Sequence, residues 1–259
     1  MTALLQKLLD AYHLVMHRLL RHAPVAMASA IGGMLVRANV RLNRPEIIAG
    51  AAHNLRRHRP DLSGAEIDAM TWSFLDNVGR HMAECSLING IVDEGRVHII
   101  GHEPSQALLG KAPLLSIHLH TGNWEVFGPA LVRNNLPVAT FYEPPASEVQ
   151  TRIIESVRKE AGFELLTPDG RGLRAALARL RSNRLVSIAC DEARNGRLMA
   201  PLFGRPPHDK GNLAIAARLA RATGAHIVIA HCERLEGCRF TLHVTEPFQL
   251  PAPAEGLLE

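Results

Sequence analysis

His118, His120 and Glu125 lie within one short run, His118-Leu119-His120-Thr121-Gly122-Asn123-Trp124-Glu125. An imidazole is the side chain best suited to moving a proton near neutral pH. A carboxylate held beside it fixes the tautomer and stabilises the imidazolium that forms. On one continuous helix, residues five apart are rotated about 140° from each other and do not meet. They can meet if His120 sits in a loop and Thr121 or Asn123 caps a helix whose first turn carries Glu125, where the dipole favours an acid. General base catalysis with an orienting acid is then available. A capping glutamate beside an ordinary histidine has the same spacing.

The His118-x-His120 spacing has a second reading. Alternate residues of a strand point the same way, so both imidazoles could reach one zinc ion, as in a zinc-dependent hydrolase. Gly122 and Asn123 stand where a His-x-His-x-Asp-His pattern would continue, and the chain has no HExxH and no cysteine cluster. A serine in a Gly-x-Ser-x-Gly elbow is also missing. Cys85, Cys190, Cys232 and Cys238 form no CxxC, as expected of free thiols in a reducing compartment.

The elements around these residues change in texture along the chain. The first 90 or so residues read as helical. Residues 3–20 carry an apolar stripe at helical spacing, and Pro45 opens a second helix to about residue 58. Ser63 stands three residues before Glu66, a capping-box spacing at the start of a helix predicted to reach about residue 87. From residue 97, short apolar runs (97–100, 114–117, 138–141, 185–189, 226–230, 240–244) alternate with helical patterns (124–132, 148–161, 172–180, 212–223). The prediction is an α/β fold: a largely parallel sheet flanked by helices, preceded by an N-terminal helical segment. The division falls near residue 92, with residues 1–92 as a membrane-associating helical region and 93–259 as the catalytic core.

In such sheets, ligands gather at the carboxyl ends of strands. His120 follows the run 114–117, Tyr142 and Glu143 follow 138–141, and Asp191, Glu192 and Arg194 follow 185–189. Phe203, Gly204 and Arg205 add an apolar anchor, a turn and a cation in the Gly/Pro-rich stretch beyond, and Arg158 lies in a helical pattern. Residues 1–60 hold nine Lys/Arg and two acids, a net +7, against −3 for the remainder. A basic helical segment rich in Leu, Met and Ala fits an anionic membrane surface, and no nucleic-acid module is recognisable. The uncharged run 22–36 contains Pro24 and two glycines and is shorter than the ~20 residues of an ordinary span, so a peripheral or monotopic contact is expected.

Taken in order, several segments resemble the bacterial late acyltransferases of lipid A biosynthesis, within the lysophospholipid acyltransferase superfamily. They are Asn54-Leu55 to Pro60 with Leu62-Ser63, Asn77-Val78-Gly79-Arg80 to Glu84, Gly101-His102-Glu103, His120 to Glu125, Arg158 to Gly162, Cys190-Asp191, and Pro201-Leu202-Phe203-Gly204. The resemblance implies an acyltransferase at the cytoplasmic face of the bacterial inner membrane. It would move a fatty acyl group from a thioester donor, acyl carrier protein or acyl-coenzyme A, to a hydroxyl of a lipid or glycolipid, without a cofactor or metal. It implies His120 as general base supported by Glu125, with Arg158 and Asp191 at the same centre. Asn123, Trp124, Tyr142, Glu192, Arg194, Phe203, Gly204 and Arg205 are then the residues expected to bind substrate. Glu143 and Glu192 depart from the pattern usual in such relatives and leave open a catalytically silent lipid-binding protein.

Overall fold

The computed structural model describes residues 3–145, 147–194, 196–202, 204–206 and 208–251. The chain divides into two compact units: Met1–Arg96 with Pro145–Val157 and Arg234–Arg239, and Val97–Pro144 with Arg158–Glu233 and Phe240–Glu259. The division expected near residue 92 cut a continuous chain in two. In the structure the first unit ends at Arg96 and also takes up two later segments.

Five helices open the first unit: α1 (Ala3–Leu20), α2 (Val25–Asn43), α3 (Pro45–His58), α4 (Gly64–Glu84) and α5 (Ile88–Asp93). The capping box is formed at α4: the Glu66 N–H donates to Ser63 Oγ, and the Ser63 N–H donates to Glu66 Oε2 at 2.8 Å. α4 ends at Glu84, earlier than the periodicity suggests, and a tight turn separates it from α5. α2 and α4 meet backbone to backbone. A Cβ on Gly79 would stand 2.3 Å from Gly32 O, and one on Gly32 2.4 Å from Gly79 O. α2 is long and apolar enough to cross a membrane by length and composition, and one of its faces (Val25, Ala28, Ser29, Gly32, Gly33, Val40) is buried.

A polar cluster holds the segment Arg234–Arg239 within this unit. Glu84 is fully buried and accepts two bonds from Arg234 at 2.7 and 2.8 Å, with Ser29 Oγ at 2.6 Å and Cys238 Sγ at 3.2 Å. Burial pushes the Glu84 carboxyl up, but these partners outweigh it and hold it below its ordinary value.

The second unit carries the sheet. From residue 97 the elements run β1 (Val97–Ile100), α6 (Glu103–Leu108), β2 (Leu114–His118), a 3-10 turn (Trp124–Val126), α7 (Phe127–Arg133), β3 (Val138–Phe141), α8 (Glu148–Ala161, assigned to the first unit as far as Val157), β4 (Glu164–Leu166), α9 (Gly170–Arg181), β5 (Leu185–Ala189), a two-residue ladder of β6 (Ala193–Arg194) with β7 (Arg197–Leu198), α10 (Asn212–Thr223), β8 (His226–Leu235) and β9 (Arg239–Val244). Among the described residues the large sheet has the order β1-β9-β8-β2-β5-β3-β4. The pairs β1–β9, β2–β8, β2–β5, β3–β5 and β3–β4 run parallel. β8 and β9 are joined by three residues, a link that permits only antiparallel pairing. The α/β expectation is met.

Strand alternation sorts the two faces of the sheet. Leu115 of β2, Ala139 of β3, and Val186 and Ile188 of β5 join Ala176 and Leu180 of α9 and Ala216, Leu219 and Ala220 of α10 in one apolar core. The alternate residues Leu114, Ser116 and His118 therefore face the other side, where Phe127 stacks on His118. The sequence reading did not include β4, α6 or the β6–β7 ladder, and the expected helix 124–132 begins as a 3-10 turn.

Candidate active site

β2 and β5 are neighbours, and His118 is in register with Ala189. Two residues further along each chain stand His120 and Asp191, so the parallel register delivers both side chains to the same sheet end. His120 Nδ1 lies 2.7 Å from Asp191 Oδ1, and the His120 backbone N–H donates to Oδ2 at 2.7 Å. A carboxylate can only accept, so Nδ1 carries the proton and Nε2 is the basic nitrogen. Burial pushes the Asp191 carboxyl up, but the two bonds from His120 prevail and hold it below the ordinary carboxylate range. The imidazole is 40% exposed, and Trp124 meets it edge-on with ring centres 4.9 Å apart.

This geometry corrects the expected pairing of His120 with Glu125. Nδ1 has one position to share, and Asp191 takes it. The Glu125 carboxylate receives Arg158 through two bonds, Nη2 to Oε1 at 2.7 Å and Nε to Oε2 at 3.1 Å. Both side chains are 15% exposed, and the guanidinium lies 4.6 Å from the centre of the Tyr142 ring. His120, Asp191, Glu125, Arg158, Tyr142 and Trp124 all belong to the second unit.

The loop between β2 and the 3-10 turn is anchored by its small residues. Gly122 adopts a φ of +58°, and a Cβ there would stand 2.5 Å from Cys232 O. Thr121 Oγ1 accepts the Cys232 N–H at 3.1 Å, and the Asn123 N–H donates to Cys232 Sγ at 3.4 Å. Asn123 is fully buried and its Oδ1 caps the turn by accepting the Glu125 N–H at 3.1 Å. Asn123, expected to bind substrate, is placed here as the cap of the turn that carries Glu125.

Glu192 is likewise a capping residue. Its Oε1 accepts the Asn212 N–H at 2.6 Å at the start of α10, whose N-cap Gly211 offers no side chain. Arg194 Nη2 donates to Asn212 Oδ1 at 2.9 Å on the same assembly. Gly204 turns the chain at a φ of +71°, and the exposed Arg205 reaches the Leu202 carbonyl. Phe203 lies outside the described residues.

His118 sits behind His120, with ring centres 6.1 Å apart. Its Nδ1 meets Ser187 Oγ at 2.9 Å, and its ring stacks on Phe127 at 5.3 Å. Burial first, and the neighbouring His120 ring second, push this imidazole down to about 4, so it is neutral at pH 7. Ser187 went unremarked in the sequence; its signal is a polar residue at an inward position of an apolar strand. Among the described residues, no group of three or more His, Cys, Asp and Glu side chains is arranged to hold a metal ion. Cys190, adjacent to Asp191, has its thiol pushed up to about 12 by burial and by the neighbouring acids, so it does not ionise readily as a nucleophile.

Residues 3–253 match the family model described as bacterial lipid A biosynthesis acyltransferase. The chain belongs to this family. A phosphatidylinositol mannoside acyltransferase of Mycolicibacterium smegmatis is 30% identical over 230 residues, which cover 83% of this chain and 71% of that protein. The crystal structure of the 1-acyl-sn-glycerophosphate acyltransferase PlsC from Thermotoga maritima aligns over 86% of each chain, at 10% identity and a TM-score of 0.38. Membership makes this member of the lipid A acyltransferase family an acyltransferase of lipid metabolism.

Proposed function

We propose that the protein transfers a fatty acyl group from an acyl thioester, carried by acyl carrier protein or coenzyme A, to a hydroxyl of a lipid or glycolipid acceptor. The observation that carries this reading is the His120 imidazole, tied through Nδ1 to Asp191. Its Nε2 has no partner among the described residues.

In this mechanism Nε2 takes the proton of the acceptor hydroxyl, and the alkoxide attacks the thioester carbonyl carbon. Asp191 stabilises the imidazolium directly. The tetrahedral oxyanion needs donors in place before it forms. Arg158 Nη1, left over when Nε and Nη2 bind Glu125, is one, and the Gly122 N–H is another. The carbon–sulfur bond then breaks, and His120 returns the proton to the departing thiolate. Glu125 acts by holding Arg158 in position, and no acyl-enzyme forms.

The acceptor is met at the cytoplasmic face of the inner membrane. Support comes from the net +7 of residues 1–60 and from apolar side chains exposed on the helical unit, among them Leu8, Tyr12, Val15 and Leu19 of α1.

The direct test is an acyl-transfer assay with acyl carrier protein and acyl-coenzyme A donors against lipid extracts, read by mass spectrometry. His120→Ala is expected to lower the rate ~10²–10⁴-fold with the fold intact. Asp191→Asn is expected to act in the same direction by releasing the tautomer. A folded His120→Ala protein with wild-type transfer rates would remove the general base from this scheme.

A further inference from the structure

A cavity of about 490 Å³ opens on the helical unit, lined by Met34, Arg37, Ala38 and Arg41 of α2 and by Trp72 of α4. Its volume lies in the ~300–1,000 Å³ range of small-ligand sites. Two guanidinium groups four residues apart stand on one side of α2. Arg41 has no ion-pair or hydrogen-bond partner among the described residues. Arg37 has a long contact to Asp76, 3.4 Å, and Asp76 is itself bonded to Arg80. Arg37 therefore shares its one carboxylate with Arg80, and α2 carries no acid of its own.

The surroundings of this cationic pair are apolar and exposed. On α2, Met27, Ile31, Met34, Leu35 and Leu42 share the face opposite the one buried on α4, and Leu42 is 79% exposed. An apolar stripe with arginines and a tryptophan at its edge combines two chemistries that free phosphate or nucleic acid would not use together. A phospholipid would: its phosphate fits the guanidinium pair, and its acyl chains fit the stripe. Indole side chains favour the boundary between headgroup and hydrocarbon.

We infer that this cavity is a binding site for one anionic bilayer phospholipid. Its phosphate lies between Arg37 and Arg41, Trp72 stands at headgroup depth, and the acyl chains follow Met34 and Ile31. The inference rests on the membrane-surface reading above and makes it specific: binding is to a built headgroup site and not to diffuse positive charge.

Flotation of the full chain tests it, using vesicles of phosphatidylcholine alone and of phosphatidylcholine with phosphatidylglycerol. Each arginine near an anionic surface is worth about 1 kcal/mol, roughly fivefold. Arg37→Gln with Arg41→Gln is expected to weaken binding to the anionic vesicles by ~30-fold. Arg56→Gln with Arg57→Gln removes the same charge from exposed positions of α3 and is expected to cost less than ~5-fold. All four residues are exposed, and circular dichroism checks that the helices persist. In a Trp124→Phe background Trp72 is the single tryptophan, and phosphatidylglycerol with brominated chains is expected to quench it.

Equal losses in the two double variants, with Trp72 unquenched, would overturn the site while leaving membrane attachment standing. Failure of the wild-type chain to float with any vesicle would remove the membrane reading and the site with it.

Discussion

His118 shows how one buried imidazole makes stability depend on pH. In the folded chain it stays neutral down to about 4, whereas an exposed histidine protonates near 6.5. Between those values the unfolded chain binds the additional proton, so stability falls as pH drops from about 6.5 towards 4. The full change is about 3 kcal/mol at ~1.4 kcal/mol per pH unit. Urea unfolding at several pH values should show this slope, and His118→Gln should flatten it while retaining a partner for Ser187. Parallel curves for the two proteins would assign the titration to another group. Of the polar residues that the sequence placed at three strand ends, His120 meets Asp191, and Tyr142 lies under Arg158. The sequence did not show the partners of Glu125, Asn123 and Glu192, because a side chain's partner depends on what lies across the sheet or loop. The Asn123 backbone N–H meets Cys232, more than a hundred residues away in the chain, and the Glu192 carboxylate meets the bare N-terminus of α10.

At the scale of elements, the helices with strong local signals were legible. Pro45 at the first turn of α3 and the Ser63/Glu66 box at α4 fix those starts by local chemistry alone. β4 was not legible, since three residues are too few to display alternation, and its strand character comes from pairing with β3. The close approach of α2 and α4 through Gly32 and Gly79 was equally hidden, for a glycine in a helix reads locally as a weakness. In contact it is a requirement. Gly79→Ala would drive a methyl against the Gly32 carbonyl, and the cost expected for such overpacking is ~1–3 kcal/mol. Chemical denaturation measures it. If Gly79→Ala matches or exceeds wild-type stability, as an alanine in an unconstrained helix would, the backbone contact is not tight.

For the whole molecule, Glu84 ties distant parts of the chain into one unit. It joins α4 to Arg234 and Cys238, about 150 residues away in sequence. Removing one partner of a buried ion pair leaves the other charged and desolvated, at a typical cost of ~3–5 kcal/mol. Glu84→Gln is therefore expected to lower the unfolding free energy by about that amount, measured in guanidinium. Replacing Glu84 and Arg234 together by Leu and Met should be milder than Glu84→Gln alone. A double replacement as damaging as the single one would mean that the pair's charges are not the issue.

The chain's own residues settled the α/β alternation, the helical N-terminal third, its positive charge, and the placement of His120 and Asp191 just beyond two strands. These follow from short-range periodicity, capping chemistry and composition, which act between near neighbours. Tertiary structure alone decided that β2 lies beside β5 with His118 level with Ala189, and so that Asp191, not Glu125, holds the imidazole. Strand order and register are set by pairing across some seventy residues, and no local pattern carries that information.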